Sequence, residues 1–470
     1  PEICGDNLDN NCDDDTDPCE EDAVLYGAAE SDIMGTAVGF AGDWDGDGEE
    51  DLIIGAPKND GTGNAMGAVY VVAGPVTGSS DVSTVATVTF TGENDQDYVG
   101  IAVAGIGDVN DDDYSDIVMG AYGYDGAGGG SYESGAFYLH WGPAYGSADL
   151  TTSYDVKWWG EGSYDWAGFS VSEAGDFNND GYLDFMVGAY KHDPSTFTDA
   201  GAAYILLGPV TTTDVNLSYA NVKLSGSASS EWAGYSLDGG GDLNNDGFDD
   251  VIVGAPQLYS GGDYVGGAYV VYGEEEPSSS TSLSYADGLM TGLSAASLTG
   301  YSVAIAGDVN GDGYDDVLVG APEEASNGNL SGSAYLVHGP ASGTLSLTNA
   351  DATFIAENND DYLGSAVSGA GDVDNNGQDD VLIGASQDDF SASDSGAAYV
   401  MLAPLLGSVS VTEAGGKLVG PNYDDRAGSS VIGGVDMNDD GYDDVFVGAP
   451  RNDDNATDGG AAFLVFGGGF

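Results

Sequence analysis

The 470-residue chain carries 80 Asp and Glu against 7 Lys and Arg, a formal net charge of −73. Such a surface repels nucleic acid and anionic membranes, which are held by basic side chains, and it attracts cations. Its 41% apolar content allows a packed core, and no stretch reaches the roughly 18 apolar residues that cross a bilayer, so membrane insertion is not expected. Acidity of this kind also suits salty surroundings, but that alone does not set the spacing of the acids. The 77 glycines and 28 tyrosines suit many short strands joined by tight turns.

The first 21 residues stand apart as an arm. "PEICGDNLDNNCDDDTDPC" holds all three cysteines, Cys4, Cys12 and Cys19, and places Asp9, Asn11, Asp13 and Asp17 at a spacing that recurs throughout the chain. Clustered cysteines beside acidic loops suit an oxidising, extracellular setting, and an odd count leaves one thiol free or paired outside the chain. The arm resembles the short Cys- and Asp-rich metal-binding motif of secreted bacterial proteins. Together with that spacing, the resemblance implies a Ca²⁺ site, the eighth of the chain, on Asp9, Asn11, Asp13 and Asp17, braced by a Cys4–Cys12 disulfide. An acidic linker from an upstream domain is the alternative. The start at Pro1 without Met points to a processed or trimmed product.

Residues 22–470 form one repetitive domain. Acid-rich stretches begin at Asp43, Asp108, Asp176, Asp242, Asp308, Asp372 and Asp436, so seven units fill the chain at near-constant period. Each unit opens with a glycine after an acidic approach, as in "DYVG" (97–100). An apolar strand such as "YSVAIAG" (301–307) follows. The acidic loop comes next, then a strand ending in "GAP", as in "DVLVGAP" (316–322). A third strand such as "GGAYVVYG" (266–273) and a variable fourth such as "NVKLSG" (221–226) close the unit. Four antiparallel strands repeated seven times predict an all-β, seven-bladed β-propeller. The last unit lacks a fourth strand, and Ala23–Gly27 matches that pattern, so the N-terminal strand is expected to complete the last blade and remove the open edge.

These units resemble the FG-GAP repeat family, best known from the integrin α-subunit propeller. The glycine of the FG position stands at Gly35, Gly100, Gly168, Gly234, Gly300, Gly364 and Gly428, while the preceding Phe is replaced. "GAP" is intact at 55–57, 254–256, 320–322 and 448–450, and becomes "GAY" at 120–122 and 188–190 and "GAS" at 384–386.

The acidic loop reads D-x-[D/N]-x-[D/N]-G-x-x-D. Oxygens at positions 1, 3, 5 and 9 can meet at one centre if the loop curls, and glycine at position 6 permits the curl. Hard oxygen donors in an irregular, many-coordinate cage select Ca²⁺, and the family resemblance implies the same ion. The expected side-chain ligands are Asp43, Asp45, Asp47 and Asp51 in the first loop, and Asp108, Asn110, Asp112 and Asp116 in the second. The third offers Asp176, Asn178, Asp180 and Asp184, the fourth Asp242, Asn244, Asp246 and Asp250. The fifth offers Asp308, Asn310, Asp312 and Asp316, the sixth Asp372, Asp374, Asn376 and Asp380, and the seventh Asp436, Asn438, Asp440 and Asp444. Position 7 adds the carbonyl of Glu49, Tyr114, Tyr182, Phe248, Tyr314, Gln378 or Tyr442. In the second loop Asp113 replaces the position-6 glycine, and weaker binding is expected there. Asp, Asn and Gly also build plain hairpin turns, but that explains one loop rather than four spaced oxygens in seven. Two carboxylates about 4 Å apart repel by about 4 kcal/mol at an effective dielectric of 20, so the loops call for a cation.

No nucleophile motif, phosphate loop or His-based cluster appears, so no catalytic residue is expected. His140 and His338 occupy equivalent third-strand ends, and Trp158–Trp159 reads as strand packing before it reads as a sugar platform. The sequence therefore predicts a secreted, Ca²⁺-stabilised adhesion or binding module for a protein or glycan. The alternative is a structural subunit that assembles with copies of itself into a filament or surface layer through its arm. A polysaccharide-active enzyme ranks below both.

Overall fold

The computed structural model describes residues 22–126, 131–194, 196–325 and 327–470. Seven sheets follow one another around a central channel, and the chain is a seven-bladed β-propeller. Blade 5 shows the plan: Val303–Ile305 lines the channel, then come Val317–Ala321, Ser333–Val337 and the outer Ala352–Ile355, each antiparallel to the last. The second strands, such as Asp380–Ala385 (DVLIGA), are buried at every residue. They sit between neighbouring blades with both faces covered, so their sequences run apolar without alternation. The outer strands, such as Ala352–Ile355, alternate buried and half-buried, as a strand with one covered face must.

The ring closes as expected. Ala23–Tyr26 pairs antiparallel with Ala461–Val465 and supplies the fourth strand of blade 7. Asp22 fastens its entry: its Oδ2 accepts from Phe466 N at 2.8 Å, as Asp351 Oδ2 accepts from His338 N at 2.9 Å in blade 5.

The two motif glycines have one job. A Cβ on Gly384, in the second strand of blade 6, would lie 2.1 Å from the carbonyl oxygen of Gly428 at the entry to blade 7. The same approach joins Gly55 to Gly100 at 2.0 Å and closes the ring between Gly448 and Gly35 at 2.1 Å. Backbone meets backbone at each blade junction, so a side chain has no room there.

The blades exceed the four-strand expectation. In six sheets a short fifth strand, contributed by the following unit, lies parallel along the outer strand. Gly407–Ser410 does this for Ala352–Ile355, and Gly78–Asp81 for Ala23–Tyr26. The sheet of blade 6 has four strands.

Candidate metal centres and ligand face

Each acidic loop joins the first strand of a blade to its second, so all seven lie at one end of the propeller. A bulge ends five of the first strands just before the loop, for example between Gly369 and Gly371, and re-aims the chain into the curl. The curl is held by the acids themselves. The position-1 carboxylate accepts from backbone N–H groups across the turn: Asp372 takes Asn376 N and Gly377 N, both at 2.8 Å, and Asp308 takes Asp312 N at 2.9 Å and Gly313 N at 2.8 Å. Position 5 accepts from position 7, as Asp246 Oδ1 does from Phe248 N at 3.1 Å. Asp113 adopts φ +73°, so the second loop keeps the left-handed turn without its glycine.

The position-9 aspartates are the buried centre of the design. Asp51, Asp116, Asp184, Asp250, Asp316, Asp380 and Asp444 are all 0% exposed. Asp380 accepts from Val373 N at 3.1 Å and Ala403 N at 2.7 Å, tying its loop to the far side of the blade. Burial raises all seven, with neighbouring loop acids adding to it and the backbone N–H bonds opposing it. Asp116, Asp184, Asp250, Asp380 and Asp444 are pushed up to about 7, and Asp51 and Asp316 to about 6.

Among the described residues no Lys or Arg forms an ion pair with a loop ligand, and only His338 approaches one, at 4.0 Å from Asp316. Buried acceptors are left without donors. Asp45 Oδ1, Asn110 Oδ1, Asn244 Oδ1 and Asp250 Oδ2 have no hydrogen-bond partner. Orphaned buried oxygens beside carboxylates that no described Lys or Arg compensates fit a cation. Three carboxylates approach within 4.8 Å of one another in the first loop (Asp43, Asp45, Asp47) and the sixth (Asp372, Asp374, Asp380). These are the two loops with Asp at position 3. The other five carry Asn there, and their three acids do not close to that distance. The N-terminal candidates Asp9, Asn11, Asp13 and Asp17, with the Cys4–Cys12 pair, lie outside the described residues.

Two sets of residues escaped the sequence pattern. Position 8 is the first. Asp249 Oδ2 reaches back one blade to accept from Asp176 N at 2.6 Å, and Asp315, Asp379 and Asp443 do the same for Asp242, Asp308 and Asp372 at 2.7–2.8 Å. The loops are therefore latched to one another. The doubled Asp at 249–250, 315–316, 379–380 and 443–444 was the available signal.

The second set is aromatic and lies at the opposite end, where the glycine and "GAY" motifs fall. Tyr98 stacks on Tyr122 at 5.0 Å, and contacts run on through Trp166, Phe169, Tyr190, Trp232 and Tyr235 to Tyr301. The arc spans blades 2 to 5. Phe169, Tyr235 and Tyr301 also line the central cavity of about 570 Å³, so the arc borders its mouth. Lys191 Nζ lies 4.3 Å from the Trp232 ring centre, a cation–π contact. No single unit shows the arc, because each contributes only one to three rings. Trp158, by contrast, is core: it is 4% exposed, packs on Phe137 and donates to Thr212 O at 2.6 Å.

The family comparison agrees with the fold. FG-GAP repeats match residues 168–206, 233–271, 299–337 and 363–401, four of the seven units. Four of the seven units of the β-propeller thus carry FG-GAP repeats. It is similar to integrin α-subunits: 32% identical to human integrin alpha-6 over 31% of this chain and 12% of that protein, and 31% identical to integrin alpha-PS2 of Drosophila melanogaster over 47% of this chain and 16% of that protein. The chain spans less than a fifth of the length of either relative. Among solved structures it aligns with BBS1N, crystallised in complex with ARL6DN, at a TM-score of 0.47 and 11% identity over 93% of each chain.

Proposed function

We propose that the seven loops hold Ca²⁺ and that the propeller they stiffen is an extracellular binding module for a protein or glycan. The observation that carries the cation is the set of buried position-9 aspartates, each 0% exposed, without a single Lys or Arg partner among the described residues. Positions 1, 3, 5 and 9 of each loop would hold the ion, with the position-7 carbonyl. The bound ion supplies charge compensation, and the chain supplies the cage, the hydrogen bonds that fix the carboxylates and the latch to the next blade. Oxygen-only donors and loop backbone favour Ca²⁺ over softer metals.

The binding reading rests on the aromatic arc. Half-buried rings bordering a cavity offer large, rigid contact area at low entropic cost. The similarity to integrin α-subunits supports an adhesion role, and the charge and the absence of a membrane-spanning helix among the described residues are consistent with secretion. The test is a Ca²⁺ titration by calorimetry with melting in millimolar Ca²⁺ and in chelator, followed by protein and glycan arrays with the wild type and Trp232→Ala. Saturable Ca²⁺ binding with a higher Tm, and a ligand lost in Trp232→Ala, are expected. Identical melting with and without Ca²⁺ would remove the cation from the account, and ligand binding indifferent to the arc would move the binding face elsewhere.

A further inference from the structure

The aromatic arc stops at Tyr301, and the repeat shows why. The residue after the motif glycine is Phe169, Tyr235 and Tyr301 in blades 3 to 5, but Ser365 and Ser429 in blades 6 and 7. Its backbone is the same in all five. Its N–H donates to the carbonyl three residues back, as Tyr301 N does to Leu298 O at 3.0 Å and Ser429 N to Arg426 O at 3.3 Å. Only the side chain has shrunk. Where rings give way to two serines, a cavity of about 280 Å³ opens across blades 5 to 7, with Tyr301 as one wall.

Arg426 lines this cavity from a position that elsewhere holds a ring. Two residues before the motif glycine stand Tyr98, Trp166 and Trp232 in blades 2 to 4, at φ +57°, +57° and +62°. Arg426 stands there in blade 7 at φ +59°, so the same left-handed backbone aims it at the same face. Its Nε donates to Asp424 Oδ1 at 2.8 Å, and Asp424 also receives Arg451 Nη1 at 2.6 Å. One carboxylate between two guanidiniums leaves a local positive charge, and the terminal nitrogens of Arg426 find no acceptor among the described residues. The other walls are the rings of Tyr301 and Tyr362 and the side chains of Glu323, Ser386 and Gln387. These last three are tied down through their backbone N–H groups, to Ser297 O, Ser365 Oγ and Asp361 O, each at 3.2 Å. Their carboxylate, hydroxyl and amide make no hydrogen bond to another described residue. All the lining residues named are half-buried.

We propose that this cavity binds one hexuronic acid residue at the end of a glycan chain. The inference rests on reading this end of the propeller as the ligand face, and it selects glycan over protein. Each wall has a counterpart in such a sugar. A guanidinium with free terminal nitrogens takes a carboxylate through two parallel hydrogen bonds. Tyrosine rings offer a flat apolar surface to the C–H face of a pyranose. Glu323, Gln387 and Ser386 offer acceptors and donors to its hydroxyls. A zwitterionic amino acid would use Arg426 and Glu323 and leave the hydroxyl and amide unpaired. A polyanion would be repelled by the chain's net charge of −73, so the acid sits alone at the end of an otherwise neutral chain.

The test is calorimetry on the full chain in millimolar Ca²⁺. The probes are trisaccharides ending in glucuronate or galacturonate, and the same sugars with the carboxyl reduced to a primary alcohol. At least one acid probe should bind saturably, at least about tenfold more tightly than its reduced form. Arg426→Met should bring the two forms to equal affinity, a change of preference that misfolding cannot imitate. Ser429→Phe, which restores the residue of blade 3, should abolish binding with the wild-type melting temperature retained. Trp232→Ala, outside the cavity, should bind the acid probe as wild type does. The proposal falls if neither acid probe binds, if acid and reduced forms bind alike, or if Ser429→Phe still binds. It falls if the acid preference survives Arg426→Met, which would put the carboxylate on bound Ca²⁺ instead. It falls if the peptide Gly-Gly-Leu displaces the acid probe at equal concentration, which would give the cavity to a polypeptide end. Loss of the acid probe in Trp232→Ala would move the site into the arc and overturn it as well. A protein ligand lost in Trp232→Ala from a chain that binds neither acid probe would remove this proposal and leave the ligand face standing.

Discussion

Replacing Asp380 by Asn separates a cation ligand from a mere hydrogen-bonding turn residue. Asp380 is 0% exposed, and burial pushes its carboxyl up to about 7. A raised carboxylate pKa makes the metal-free native state most stable below about pH 4. That stability is lost as pH rises through about 7, because the folded state must then surrender a proton it holds tightly. A shift of about three units corresponds to about 4 kcal/mol lost by pH 8. The amide introduced by Asp380→Asn has nearly the same shape and no charge to bury. One of the two acceptor contacts at this position, to Val373 N or Ala403 N, becomes a clash of donors and costs about 1–2 kcal/mol. In chelator at pH 8 the variant should therefore be more stable than wild type, by about 2 kcal/mol. In saturating Ca²⁺ the order should reverse, because the wild-type carboxylate is then paired and the variant has lost a ligand. Urea unfolding followed by tyrosine and tryptophan fluorescence, with and without Ca²⁺, measures both differences. If Asp380→Asn is destabilised equally in both conditions, Asp380 is a turn residue and the cation reading of its loop fails.

Other outcomes follow from packing. Gly384→Ala should lower stability by at least about 2 kcal/mol, since its Cβ would lie 2.1 Å from Gly428 O and neither backbone can retreat within a closed ring; thermal melting reads this, and an unchanged Tm would show the blade junction to be slack. Lys157→Met should cost about 3 kcal/mol, because Glu93, which receives Lys157 Nζ at 2.8 Å on both oxygens, is left an unpaired charge. Adding Glu93→Gln should recover much of that loss, and failure to do so would assign the cost to lost packing against Tyr124. Deleting residues 1–26 should broaden the unfolding transition and promote association, because it bares Ala461–Val465 as an edge. A deletion that melts like the full chain would contradict closure by Ala23–Tyr26.

The sequence by itself determined the repeat, the strand order, the closing strand and every candidate cation ligand from Asp43 to Asp444. These are local properties. An aspartate nine residues into a curl, or a glycine after a strand, is set by backbone geometry within one unit and repeats visibly when the unit repeats. The tertiary structure alone decided what lies between units. The glycine pairs such as Gly384 and Gly428, the latch from Asp443 to Asp372 N, the aromatic arc from Tyr98 to Tyr301 and the covering fifth strands all join residues of different blades. Their partners are tens of residues apart in the chain, and only closure of the ring brings them within a few ångströms.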